Sequence, residues 1–343
     1  MTAAAALVRD VLDEYGALSR NALTAYLNQA CARDAVYRIA SDYPLRGGRS
    51  LRASLCIAVA RAFGACVEEA SRSAVSLELL HNAFLVHDDI EDESDERRGK
   101  PTLHQLVGVP SALNAGDALI TLSLRPLIGN RTLLGPQVAW QILEEAERMV
   151  RESVEGQAME LRWRQDNSIS LTENDYLTMI LKKTCWYTTM YPTRVGVLIG
   201  TRGDVDLDQF ARFGFFLGAA FQIQDDVLNI VGDHARYGKE LAGDLMEGKR
   251  TLLLIHALQN ITPAERERAL RLLALPRAQK SQSEVRWLSD SMKRVGSIDY
   301  ASQVAHSLAG AAAHEFSVCF RGAPAGRDRD FVEALPHWVL QRC

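Results

Sequence analysis

The sequence of 343 residues predicts an all-α protein, and three observations carry that reading. Apolar residues recur at helical spacing along nearly the whole chain, while sustained period-two alternation between hairpin turn signals does not occur. Apolar residues make up 47% of the chain, enough for a sizeable core. Neither a fixed internal repeat nor a linker long enough to split the chain is present, so residues 1–343 are read as one domain. Its core is expected over about 15–260, with C-terminal helices over about 261–343.

The opening "MTAAAALVRDVLDEYG" lacks a basic leading region and meets Arg9 and Asp10 early, so it does not read as a signal peptide. "AVSLELLHNAFLVHDDIED" is apolar up to His87, as expected of a helix buried on most sides, and then ends in carboxylates. In "VAWQILEEAERMVRESVEGQAMELRW" the set Ala139, Ile142, Leu143, Ala146, Met149 and Val150 marks one face of a long amphipathic helix. Thr172 followed by Asp175 reads as a helix N-cap. "GFFLGAAFQIQDDVLNI" is a second buried helix with an acidic end. Residues 232–251 are glycine-dotted, carry both charge signs and read as a mobile lid, while "IGNRTLLGP", "GTRGDVDLD", "LALPRAQKSQS" and "GAPAGRDRD" are helix connections. No uninterrupted apolar run approaches the roughly 20 residues of a transmembrane helix.

A net charge of −4 without a dense Lys/Arg run excludes the footprint of a nucleic-acid binder. Six cysteines lie scattered without CxxC pairs, which argues against a zinc site or a disulfide framework and fits reduced thiols in the cytoplasm.

Seven carboxylates fall between Asp88 and Glu96, followed by Arg97, Arg98 and Lys100. Taken alone, such a block reads as a solvated loop. On a helix, however, Asp88 and Asp92 project from one face with Asp89 alongside, and their mutual repulsion calls for a cation. Asp225, Asp226 and Asn229 repeat the same spacing at the end of the second apolar helix. If the two helices pack side by side, their oxygens face each other across a cleft. Mg²⁺ is held by one or two carboxylates together with substrate phosphates, so the pair of elements predicts a diphosphate substrate bridged by Mg²⁺. Lys183, Lys239 and Lys249 join the cations suited to phosphate.

"DDIED", "RRGKPTLH", "GDALI", "GQAMEL", "KT", "FQIQDD" and "GKELAGDLMEGKRT", in this order, resemble the trans-isoprenyl diphosphate synthases of the polyprenyl synthetase family. The resemblance starts at "LRGGRSLRASLCIAVARAFG", covers nearly the whole chain and implies an antiparallel helical bundle around a deep central cavity, working as a homodimer. It also implies that Asp88, Asp89, Asp92, Asp225, Asp226 and Asn229 hold Mg²⁺, three ions per site, on an allylic diphosphate. Arg97, Lys183 and Lys239 match residues that contact the same diphosphate. Arg49, Arg52, His81 and Arg98 match a metal-free pocket for isopentenyl diphosphate, and helical spacing puts His81 and Asp88 on one face about 10 Å apart. Thr184 and Gln222 match residues facing a developing carbocation, although each could also be a polar group of helix packing.

Three positions depart from the family pattern: Arg49 replaces a lysine, Ser50 an arginine and Asn229 an aspartate. Product length is expected to depend on Phe84, one turn before Asp88, and on its small neighbour Ala83; one aromatic without a second favours a C20 over a C15 product. A class I terpene cyclase and a non-catalytic subunit of a heteromeric synthase share the fold. The sequence lacks the second motif usual in the cyclase and retains both aspartate motifs that such subunits lose.

Overall fold

The computed structural model describes residues 3–32, 34–232 and 242–342. Within them the chain is a bundle of helices. The first half comprises α1 (Ala3–Cys31), α2 (Ala35–Ala40), α3 (Asp42–Leu45), α4 (Leu51–Ala62), α5 (Val67–Glu91), α6 (Leu103–Val107), α7 (Val109–Gly129), α8 (Arg131–Leu134) and α9 (Pro136–Gln165). Then come α10 (Glu173–Ile180), a π-helical segment (Leu181–Met190), α11 (Tyr191–Gly200) and α12 (Ala211–Val231). The chain ends in α13 (Gly243–Glu247), α14 (Leu252–Asn260), α15 (Pro263–Leu273), α16 (Gln282–Arg294), α17 (Ser297–Cys319) and α18 (Arg327–Leu340).

Local chemistry explains the boundaries. Thr172 caps α10 as expected: Asp175 accepts a hydrogen bond from the Thr172 main-chain N–H at 2.8 Å, and the Asp175 N–H donates back to Thr172 Oγ1. Thr262 and Glu265 do the same for α15. One feature departs from the all-helical expectation. Glu96–Arg97 and Lys100–Pro101 form a small antiparallel hairpin, β1 and β2. Arg98 and Gly99 both have positive φ, 56° and 70°, the pair of left-handed residues that a two-residue hairpin turn requires.

α5 packs on α7 and α4, α12 packs on α17 and the π segment, and α9 lies along the π segment. Gly156 allows that last approach: a Cβ there would come 2.7 Å from Lys183 Cα and closer still to its amide nitrogen. Of the apolar face read along α9, Ala139, Ile142, Ala146 and Met149 are buried and Leu143 and Val150 pack against the same cluster. One hydrophobic cluster runs from Val8 to Val339, so both ends of the described chain share its core. A second joins Leu79 and Ala83 of α5 to Ala112, Ala115 and Leu119 of α7. Among the described residues no helix is long and apolar enough to cross a membrane.

Candidate active site

The C-terminal ends of α5 and α12 present the two aspartate motifs. Asp88 keeps partial exposure and pairs with Lys183 Nζ at 3.3 Å and with Arg97 at 3.9 Å. Asp92 caps α5 and takes Arg164 at 2.5 Å and Lys249 at 2.6 Å. Asp89 differs from both. It has no exposed surface, accepts a hydrogen bond from the Tyr43 hydroxyl at 2.6 Å and is gripped by the Arg97 guanidinium. Asp89 is expected to hold metal together with Asp88 and Asp92; here its oxygens meet Arg97 and Tyr43.

On α12, Asp225 pairs with Arg342 at 2.9 Å. Asp226 is buried and accepts from Tyr176 Oη and Gln222 Nε2, each at 2.7 Å. Burial and then the nearby Asp244 push the Asp226 carboxyl well above the usual carboxylate range, a cost that a bound cation removes. Asn229 uses its side-chain oxygen to accept the Asp244 N–H at 3.2 Å, and its main-chain carbonyl accepts from Ala242. It therefore fixes the start of α13, a role its place in the motif did not suggest. The two motifs meet through the π segment: Lys183 reaches Asp88, and the adjacent Thr184 donates to Gln222 at 3.0 Å. A cavity of about 280 Å³ carries Asp92, Arg97, Asn229, Asp244, Lys249 and Arg277 on its wall.

Electrostatics keep the cations charged. Burial opposes the Lys183 ammonium, but Glu160 and Asp88 outweigh it and raise its pKa. Lys249 is raised in the same way, against burial, by Asp92 and Glu247. Among the described residues no group of three or more His, Cys, Asp or Glu side chains is arranged to hold a metal ion alone. An all-oxygen donor set split between two helix ends matches Mg²⁺, which completes its shell with phosphate oxygens and water.

Beside this cleft, Arg49, Arg52, Glu78, His81 and Arg98 line a pocket of about 170 Å³. Burial, and after it Arg52 and Arg98, hold the His81 pKa well below its ordinary value, so the ring is neutral. His81 Nδ1 and Arg52 Nε are both buried without a hydrogen-bond partner, so the pocket has donor capacity for an anion. Arg49 is exposed on the rim that joins this pocket to a neighbouring cavity of about 660 Å³. Phe84 is partly buried below Asp88 on α5, whereas Ala83 is fully enclosed in the second cluster against α7. Residues 233–241 of the segment read as a lid, Lys239 among them, lie outside the described residues.

Sequence reasoning missed Tyr43, Glu160, Arg164, Tyr176 and Arg342. Glu160 and Arg164 carried a signal, since they stand one helical turn apart, on the stripe that Gln157 begins. Tyr43 and Arg342 carried none, because each meets its aspartate only through the tertiary fold.

Residues 33–292 match the polyprenyl synthetase family model. A short chain isoprenyl diphosphate synthase of Methanothermobacter thermautotrophicus is 30% identical over 87% of this chain and 88% of its own. A geranylgeranyl diphosphate synthase of Sulfolobus acidocaldarius is 34% identical over 76% of this chain and 77% of its own. The crystal structure of a geranylgeranyl pyrophosphate synthetase from Pyrococcus horikoshii superposes with a TM-score of 0.84 at 30% identity, covering 98% of both chains. With aspartate motifs at the ends of α5 and α12 joined through the π segment, and a family match over most of its length, the chain belongs to the polyprenyl synthetase family and is a prenyltransferase.

Proposed function

We propose that the protein condenses isopentenyl diphosphate with an allylic diphosphate of C5 to C15, releasing geranylgeranyl diphosphate, C20. The observation that carries this reading is the pairing of two pockets on one helix. α5 brings Asp88 and Asp92 to a cleft with Lys183 and Lys249, and about 10 Å away brings His81 to a separate basic pocket.

Asp88, Asp89 and Asp92 with Asp225, Asp226 and Asn229 would hold Mg²⁺, three ions per site being the expectation from the family. When bound, the metal supplies Lewis-acid charge to the leaving diphosphate. Lys183, Arg97 and Lys249 gather the remaining negative charge as the allylic C–O bond ionises, in positions set before the substrate arrives. The Thr184 hydroxyl and Gln222 amide present oxygens to the developing allylic cation. Arg52, Arg98 and the neutral His81 orient the second diphosphate, so that its double bond attacks the cation and loss of a proton completes the trans-extended chain. The Phe84 ring beneath Asp88 supports the C20 limit.

As further parts of this reading, the whole chain works as one domain, pairs as a homodimer and acts in the cytoplasm. The free thiols of Cys31, Cys56, Cys66, Cys185 and Cys319 suit a reducing compartment. The test is incubation of the purified protein with Mg²⁺, isopentenyl diphosphate and each of the C5, C10 and C15 allylic diphosphates, products being identified by mass after phosphatase treatment. A single C20 alcohol is expected. Hydrocarbons formed without isopentenyl diphosphate would make the protein a cyclase instead.

A further inference from the structure

Tyr187 of the π segment touches Arg52 and His81, which line the basic pocket, and Phe84, one turn before Asp88 on α5. Contacts between this segment and α5 run in opposite directions along the two helices: Lys183 meets Asp88, and four residues later Tyr187 meets Phe84, four residues earlier. The two rings pack edge to face, centroids 5.6 Å apart at 83°, one turn below the Asp88–Lys183 pair. The other face of this arrangement belongs to the basic pocket. His81 stacks on Tyr187 at 5.9 Å and 27°, and the Arg52 guanidinium lies over the Tyr187 ring, 4.3 Å from its centroid. Arg52 is held in that plane by a second contact, donating to Thr188 Oγ1 at 2.9 Å.

We infer that Tyr187 is a positioning and specificity-determining residue that couples binding of the homoallylic diphosphate to the depth of the product cavity. The inference rests on the proposed reading, in which Arg52 and His81 hold isopentenyl diphosphate. Two physical effects support it. The quadrupole of the ring attracts the guanidinium to its face, so the ring sets the direction in which Arg52 presents its N–H groups. The edge-to-face contact restricts the Phe84 ring, so the floor of the cavity consists of two mutually fixed aromatics rather than one ring free to swing aside. Deepening the cavity then requires change on either helix, not on α5 alone. The ring is the active element in both effects, and the hydroxyl is dispensable.

Three variants separate these roles. Tyr187→Leu removes the aromatic face together with part of the bulk: calorimetry should show the Kd for isopentenyl diphosphate rising about fivefold. Its products should lengthen by at least one five-carbon unit. Tyr187→Phe should match the wild type in both readouts. Tyr187→Trp retains the aromatic face and extends into the cavity, so its products should shorten while the Kd holds. Circular dichroism monitors folding throughout. If folded Tyr187→Leu keeps wild-type Kd and product length, or if Tyr187→Phe loses as much as Tyr187→Leu, the inference is wrong. Should Tyr187→Leu not fold, Tyr187→Trp decides, and unchanged product length overturns the idea. A wild-type protein that neither binds nor condenses isopentenyl diphosphate would sink the functional reading beneath it; a condensing wild type with indifferent variants removes only this inference.

Discussion

Neighbouring aspartates at the end of α5 are surrounded differently by the fold. Asp88 faces the cleft, and its partner Lys183 also holds Glu160, so Lys183 keeps a counter-charge if Asp88 is lost. Asp89 is wholly enclosed and is the carboxylate on which Arg97, itself 7% exposed, depends. Removing one member of a buried ion pair strands the other charge, typically at a cost of roughly 3–5 kcal/mol, whereas a partly exposed pair contributes about 0–1 kcal/mol. Asp89→Ala should therefore lower unfolding stability by roughly 3–5 kcal/mol, while Asp88→Ala stays within about 1 kcal/mol of wild type yet abolishes turnover. Urea denaturation of the two variants beside a condensation assay decides the matter. Equal stability loss in both would mean that the two residues share one role. The distinction could not be read from "DDIED", because Tyr43, which completes the Asp89 site, arrives from a segment 46 residues earlier.

At the scale of elements, most helices were legible, since the fold buries the apolar residues spaced for one face, as with Ala139, Ile142, Ala146 and Met149 on α9. Two features were not. The hairpin at 96–101 has strands of two residues, too short to show alternation, and only its Arg98–Gly99 turn is distinctive. The π segment, "LKKTCWYTTM", has no periodicity that separates it from an α-helix, and it lies between α9 and α12, which hold it on two sides. Gly156 marks where α9 meets that segment. A methyl group there would meet main-chain atoms of Lys182 and Lys183, which cannot swing away as a side chain can. Gly156→Ala should destabilise by roughly 1–3 kcal/mol and, by displacing Lys183, raise KM for the allylic diphosphate more than for isopentenyl diphosphate. Gly310 of α17 provides the contrast, being exposed and having open space where a methyl group would stand. Gly310→Ala should stabilise by about 0.4–1 kcal/mol through the unfolded chain and leave both KM values alone. Thermal unfolding and steady-state kinetics of the pair test the argument, and a Gly156→Ala enzyme with unaltered KM values would refute it.

For the whole molecule, the unburied surface carries information that the core does not. Leu113, Leu124 and Ile128 fall on one stripe of α7 and are 43%, 44% and 55% exposed. Leu133 of α8 and Trp140 of α9 continue the exposed apolar surface in the next two helices, Trp140 at 62%. Single exposed apolar residues are ordinary, but a series along consecutive elements is the usual mark of an interaction surface. The opposite side of α7 packs on α5 through Ala112, Ala115 and Leu119. Whatever covers the outer stripe therefore bears on the helix that braces the first aspartate motif. A homodimer that buried the stripe against its counterpart on a second copy would brace α7 and, through it, α5. Ile128→Glu buries a charge in such an interface and should convert a dimer to a monomer with turnover reduced, measured by light scattering after size exclusion and by product formation across a dilution series. Because Ile128 is mostly exposed, the same change should shift stability of the separated chain by no more than about 0.5 kcal/mol. A dimer that persists in Ile128→Glu would place the contact on another face and release α5 from any dependence on it.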